Sequence, residues 1–162
     1  MEFDPKHWAA TLATCIQLEL LSWRVRMSHD EVRAVALDCH PWHSNSLTLS
    51  LLTDRESFNE SKYGKWALAA WRLYDFPSGP TGSWPAAQLV MAEAHAFYSR
   101  SQNNAERALA RDSLIKCCID AMRQPQVVEA LREYHLAREF EVFVGHPDAP
   151  GSNFYLHNND VT

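Results

Sequence analysis

The sequence predicts an α+β domain: a mainly antiparallel sheet of four to five strands, packed by an N-terminal helix and two to three C-terminal helices, in one unit over residues 1–162. Leu47, Leu49 and Leu51 alternate with Thr48 and Ser50, and Phe140, Val142 and Val144 alternate with Glu141 and Phe143, which is the period of two of a strand. Trp8, Leu12, Cys15, Ile16, Glu19, Leu20, Trp23 and Met27 instead recur at helical spacing. With 162 residues, 46% of them hydrophobic, the chain is long enough for one core that buries roughly 70% of its unfolded surface.

Asp4-Pro5 opens the first helix, expected from about Pro5 to Met27, because Asp accepts from free N–H groups and Pro is tolerated in the first turn. Ser28-His29-Asp30 ends it. In the strand that follows, Val32, Ala34 and Ala36 share one face and Val35, Leu37 and Cys39 the other, so it is expected to be an inner strand with cover on both faces. The polar loop Cys39 to Ser46 breaks the ladder at Pro41 and returns the chain as an antiparallel hairpin into a half-buried strand at Leu47–Leu51. Arg55 to Lys65 reads as a connection or a short helix. Lys65 to Phe76 fits a helix through Trp66, Ala70 and Leu73 or a strand through Trp71 and Leu73; the expectation is a helical turn running into a third strand at Ala70–Phe76.

Pro77-Ser78-Gly79-Pro80-Thr81-Gly82 is a loop that separates a sheet-rich half from a helix-rich half. Ser83 is the expected N-cap of a helix to about Arg100, with Ala86, Leu89, Val90, Glu93, Ala94 and Phe97 on one stripe. Asn103 and Asn104 cap the next, to about Arg123, with Leu109, Ile115, Cys118, Ile119 and Met122 inside and Arg107 and Arg111 outside. Pro125 starts a third, with Val127, Val128, Leu131 and Tyr134. After the strand at Glu139–Gly145, the loop His146 to Gly151 turns the chain, and Asn153–His157 is expected to pair back as an edge strand before Asn158–Thr162 fray.

The acidic start Met1-Glu2-Phe3-Asp4 does not resemble a secretory leader, and the longest apolar segment, Trp8 to Trp23, is interrupted by Gln17 and Glu19. A soluble, cytoplasmic protein is expected. A net charge of -5 disfavours nucleic acid, and after Arg138 the acids Glu139, Glu141, Asp148 and Asp160 have no Lys or Arg among them. Four cysteines, including the neighbours Cys117 and Cys118, read as reduced thiols in a core.

Of eight histidines, His40 and His43 follow Cys39 in the hairpin loop. Zinc needs three or four converging N or S ligands, so this loop needs His146, Asp148 or His157 beside it to complete a set. Cys39 and His40 point to opposite sides of a strand, which disfavours a thiolate–imidazole pair. Glu93, Asp112 and Asp38 lie near apolar stripes, where carboxyls titrate high unless a cation such as Arg72 pairs with them. With five glycines, at 64, 79, 82, 145 and 151, neither a P-loop nor a dinucleotide fingerprint fits. No catalytic residue, metal or cofactor is assigned.

Trp42, flanked by His40 and His43, reads either as a contact residue for a partner or as a ring that closes the end of the core. The expected partner-binding set is His40, Trp42, His43, His146 and Asp148.

The N-terminal helix with Asp30–Asp38 (DEVRAVALD), Leu51–Phe58 (LLTDRESF) and Tyr63–Trp71 (YGKWALAAW) resembles small bacterial proteins of the domain-of-unknown-function family four-three-zero-three, which is similar to immunity proteins of bacterial polymorphic-toxin systems. The resemblance covers most of the first half and implies no catalytic residue. It implies a non-catalytic intracellular binding protein that occludes a cognate toxin. The alternative is an enzyme or metal-binding protein using Cys39, His40 and His43.

Overall fold

A computed structural model describes residues 3–57, 59–79, 82 and 84–157. Its order is helix α1 (Pro5–Trp23), strands β1 (Val32–Cys39) and β2 (Leu47–Thr53), the short helix α2 (Glu60–Tyr63), helices α3 (Gln88–Ser99), α4 (Asn104–Met122) and α5 (Pro125–Arg132), strand β3 (Leu136–Gly145) and the short helix α6 (Phe154–His157). Single 3-10 turns at Leu68–Ala70 and Pro85–Ala87 complete it.

The sheet corrects the expectation of four to five antiparallel strands. Among the described residues it has three strands in the order β2-β1-β3, with β1 antiparallel to β2 and parallel to β3. Helices α3, α4 and α5 lie between β2 and β3 in sequence, and so long a crossover brings the chain back to run alongside β1 in the same direction. The two missing strands have specific causes. At Ala70–Phe76 the chain makes one bridge, Leu51 with Leu73, and Asp75 then takes a φ of 45°, which ends extended backbone. At Asn153–His157 the Asn153 amide does the work of a strand: its Nδ2 donates to Val142 O at 2.8 Å and its Oδ1 accepts from Val144 N at 3.2 Å. The same Oδ1 accepts from Tyr155 N at 3.1 Å, so the residues beyond it coil into α6. The expected Ser83 cap and the tail Asn158–Thr162 lie outside the described residues.

One face of the sheet carries Val32, Val35, Leu37, Cys39, Leu47, Leu49, Leu51 and Val144 into the main core, against Leu12, Ile16 and Leu20 of α1 and Leu114, Cys118 and Ile119 of α4. Asp4 starts α1 as its sequence implies, with Oδ1 accepting from Lys6 N and His7 N at 3.0 and 3.2 Å. Trp8 is buried, and its indole N–H donates to Val90 O at 2.9 Å, tying α1 to α3. Asn103 caps α4 through Glu106 N at 2.9 Å, and the Glu106 carboxylate returns a bond to Gln102 N at 2.7 Å. Leu89 and Leu109, expected inside, are exposed; α3 instead turns Val90, Met91 and Ala94 inward.

The second face is also covered, so β2 is buried along its whole length rather than half-buried. Trp66, Leu68 and Trp71 pack on Ala34, Ala36, Leu52 and Phe143. Segment 71–76 follows the outer edge of β2, where Leu51 N donates to Leu73 O at 3.2 Å and Phe76 N to Leu49 O at 3.0 Å. Ser50 Oγ accepts from Asp75 N at 3.0 Å, satisfying a hydroxyl that the alternation assigned to solvent.

Asp30 pins this cover at the start of β1. Its buried carboxylate meets Arg55 Nε at 2.9 Å and Arg72 Nη2 at 2.6 Å. Loss of the carboxylate in Asp30→Ala leaves two guanidiniums facing each other; because both are about half exposed, the expected cost is about 2 kcal/mol rather than the larger cost of breaking a fully buried pair. Urea unfolding measures it.

Candidate functional site

Because β1 and β3 are parallel neighbours, the loops that leave their C-terminal ends lie side by side. The hairpin loop supplies His40, Trp42 and His43, and the loop after β3 supplies His146 and Asp148. His40 and His43 are 5.9 Å apart between ring centroids, and Trp42 lies 6.3 Å from His43. The Trp42 ring meets His146 edge-on at 6.3 Å and Tyr98 at 6.2 Å, while His146 stacks on Phe154 at 5.4 Å. The structure therefore joins Trp42, His43 and His146 into one aromatic row. Trp42 is half-buried within it, His43 and Asp148 are exposed, and His146 is buried.

Among the described residues no three His, Cys, Asp or Glu side chains converge to hold an ion. Cys39, grouped with His40 and His43 in the alternative reading, is buried on the helical face against Cys118. Cys39 and the histidines therefore do not form a unit. Burial lowers the pKa of His40, and the nearby His43 adds to the effect. Burial and then Arg111 lower that of His146, partly opposed by Asp148 and Asp112. The side chain of His157 lies outside the described residues.

The sheet face opposite α1 and α4 carries a better-formed site. Asp38, at the end of β1, lies in phase with Ala34 and Ala36. Its carboxyl opens into a cleft of about 520 Å³ between residues 63–74 and the loop 146–151. Trp66, Tyr74, Phe143 and His146 wall it, with Ala67–Ala70 along one side. Trp66 and Phe143 stack at 4.6 Å with an interplanar angle of 24°.

Burial alone pushes the Asp38 carboxyl up to about 6, since no described residue gives it an ion pair or hydrogen bond. The Arg72 expected to quench such a carboxylate is held by Asp30. Lys65, the cation on this face, is paired with Glu141, which stands opposite Ala34. Four residues of strand, roughly 13 Å, separate that position from Asp38.

A second polar group nearby also lacks a partner: Nδ1 of His146, a residue only 6% exposed, has no hydrogen-bond partner. Thr48, paired with Asp38 across β2, has a buried Oγ1 with no hydrogen bond of good geometry, its polar neighbour being the Tyr74 phenol. That phenol stands at the rim, its pKa raised by burial and then by the charges of Asp75 and Asp38, and lowered in part by Thr48. Buried polar groups without partners are rare in folded proteins; here His146 lines the cleft and Thr48 stands next to Asp38 in the ladder without lining it.

Gly145 packs tightly beside two residues of the cleft wall. A Cβ there would lie 2.4 Å from the Phe143 ring and 3.2 Å from Asp38 Oδ1. Gly145→Ala is expected to displace the ring, with a stability loss of about 1–3 kcal/mol of the overpacking kind and a changed near-ultraviolet circular dichroism from the Trp66–Phe143 stack.

The sequence marked Asp38 as a candidate for a high pKa but expected a structural pairing, and it placed Trp66 and Tyr74 in core or strand. The phase of Asp38 with Ala34 and Ala36 was the available signal: a carboxylate pointing along an inner face needs either a cation or a ligand. No protein-family model, no curated protein and no solved structure matches the chain.

Proposed function

We propose that the chain is an intracellular recognition protein whose binding site is the cleft around Asp38. The observation that supports this is the carboxyl of Asp38, without an ion pair or hydrogen bond from any described residue, at the wall of an aromatic-lined and otherwise largely apolar cavity. Aromatic walls supply contact area, and the few polar groups orient what enters. A fragment library followed by amide NMR tests the reading. Binders are expected to shift Asp38, Trp66–Ala70 and His146 together. Shifts that map elsewhere, or chemical turnover of a bound fragment, would overturn it.

A second reading, occlusion of a basic toxin by an immunity protein, is supported by the edge of β3. Asn153 closes that edge at Val142 and Val144, whereas Arg138 and Glu139 ahead of it are exposed. Arg138 offsets the charge of Glu139 at the edge itself, and the exposed Asp148 in the following loop leaves this side with a net negative charge that would speed encounter with a basic partner. Charge reversal in Glu139→Lys with Asp148→Lys is expected to abolish protection against such a toxin on co-expression, while cleft variants leave protection intact. No helix among the described residues is long and apolar enough to cross a membrane.

A further inference from the structure

Given the cleft as the recognition site, on which this inference rests, we propose that its ligand is a small organic cation: a primary amine on an aromatic or apolar body, with the ammonium on Asp38 and the body against the stacked Trp66–Phe143 pair and Tyr74. Charge is the first ground. Asp38 carries a carboxylate at neutral pH in a wall that is otherwise largely apolar, and the lining residues include no lysine or arginine. Asp38 is half-buried, so its carboxylate is partly desolvated, and no described residue gives it a counter-charge or a donor. An anionic ligand would meet repulsion, and a neutral one would leave the charge uncompensated.

The remaining walls fit the same chemistry. The Trp66 ring stacks on Phe143 and has Lys65 Nζ over it at 5.1 Å, so it offers the cleft its edge, and with the Tyr74 phenol it forms an aromatic wall along which the methylenes beside an ammonium can lie. An ammonium has three N–H donors. One or two go to Asp38 and the remainder to water, since the unpartnered Nδ1 of His146 and Oγ1 of Thr48 are enclosed by the protein. A chain of net charge -5 also raises the local concentration of cations.

Binding should then depend on pH. The groups facing Asp38 are Thr48 from β2, Tyr74 and Asp75 from the cover, and His146 from the loop after β3; Cys118 senses it through the sheet from α4, and Lys65 is neutralised by Glu141. With the free carboxyl near 6, binding is constant above that pH and weakens as protons compete below it. Between about pH 7.5 and pH 5 the loss is expected to be about tenfold. His146 also titrates on the acid side and, once protonated, repels an ammonium, so His146→Gln isolates the Asp38 step.

The test uses three probes of matched shape, phenethylamine, 2-phenylethanol and phenylacetate, measured by calorimetry and amide NMR on the intact chain and on Asp38→Asn, Trp66→Ala and His146→Gln. The expected result is binding of phenethylamine at the cleft, at least tenfold tighter than of either other probe, lost in Asp38→Asn, weakened in Trp66→Ala, and weaker at pH 5 by about tenfold in His146→Gln and by at least as much in wild type. Binding of phenylethanol or phenylacetate at the cleft with equal or greater affinity would overturn the cation assignment and leave the cleft as the site. Failure of all three probes to shift any cleft residue would overturn the cation assignment, and failure of the wider fragment library there as well would overturn the cleft.

Discussion

Asparagine in place of Asp38 is expected to stabilise the free protein by about 2 kcal/mol at neutral pH. The carboxyl lies at 3.8 in the unfolded chain and is pushed up to about 6 in the fold, a difference of about 3 kcal/mol between its two protonation states. The sign follows from proton binding. Between these two values the folded state holds the proton more tightly, so stability is greatest below 3.8, falls as the pH rises through the interval and is lowest above about 6. The substituted side chain carries no such penalty, although its amide still needs partners, which reduces the gain to about 2 kcal/mol. Parallel urea titrations at several pH values check this: wild type and Asp38→Asn should converge on acidification and separate on return to neutrality. A residue that lowers stability in the free state and is held in a cleft has the profile of a binding group.

Trp8→Ala is expected to be the most damaging single change, costing about 3–5 kcal/mol. The ring is 1% exposed where α1 meets α3, and its loss removes that volume together with the bond to Val90 O. Phe3 packs beside it at 6.1 Å and stacks on Phe97 at 4.2 Å, so the surrounding rings have little freedom to collapse into the space. Trp8→Phe keeps most of the volume and loses the indole donor, and should recover more than half of the loss. Thermal or urea unfolding of the two variants separates packing from the hydrogen bond. Because Trp8 lies on the helical side of the sheet, the midpoint of the Asp38 titration should be unchanged in the folded Trp8→Phe protein.

The helices and the hairpin were legible because their causes are local. Asp4 and Asn103 cap the helices they were expected to cap, Pro125 opens α5, and the hairpin register runs from Cys39 opposite Leu47 to Val32 opposite Thr53. The burial of β1 on both faces also followed from its residues, with Val35, Leu37 and Cys39 in one core and Ala34 and Ala36 in the other. The direction of β3 did not, since a period of two is the same in parallel and antiparallel ladders. Asn153 was misread because one side-chain amide satisfied a sheet edge that was expected to need a strand.

The site was legible in part. Nothing in the sequence required the hairpin loop and the loop after β3 to share a sheet end; the parallel pairing of β1 with β3 brings Trp42, His43 and His146 together there. Exposed Asp148 remains outside the row of rings, and Cys39 is on the far side of the sheet. The cleft itself depends on how residues 63–74 fold over the second face, and that cover has neither strand nor helix periodicity to announce it. Trp66 on Phe143 and Arg72 on Asp30 are long-range pairings that only the assembled sheet defines.

A carbon-13 titration of the Asp38 side-chain carboxyl tests most directly whether this group waits unpaired for a ligand. The expected midpoint is near 6 in the free protein, moving downward when phenethylamine is added. A midpoint at the ordinary 3.8 would mean that the carboxyl is already solvated or paired, and would contradict the assignment of the cleft.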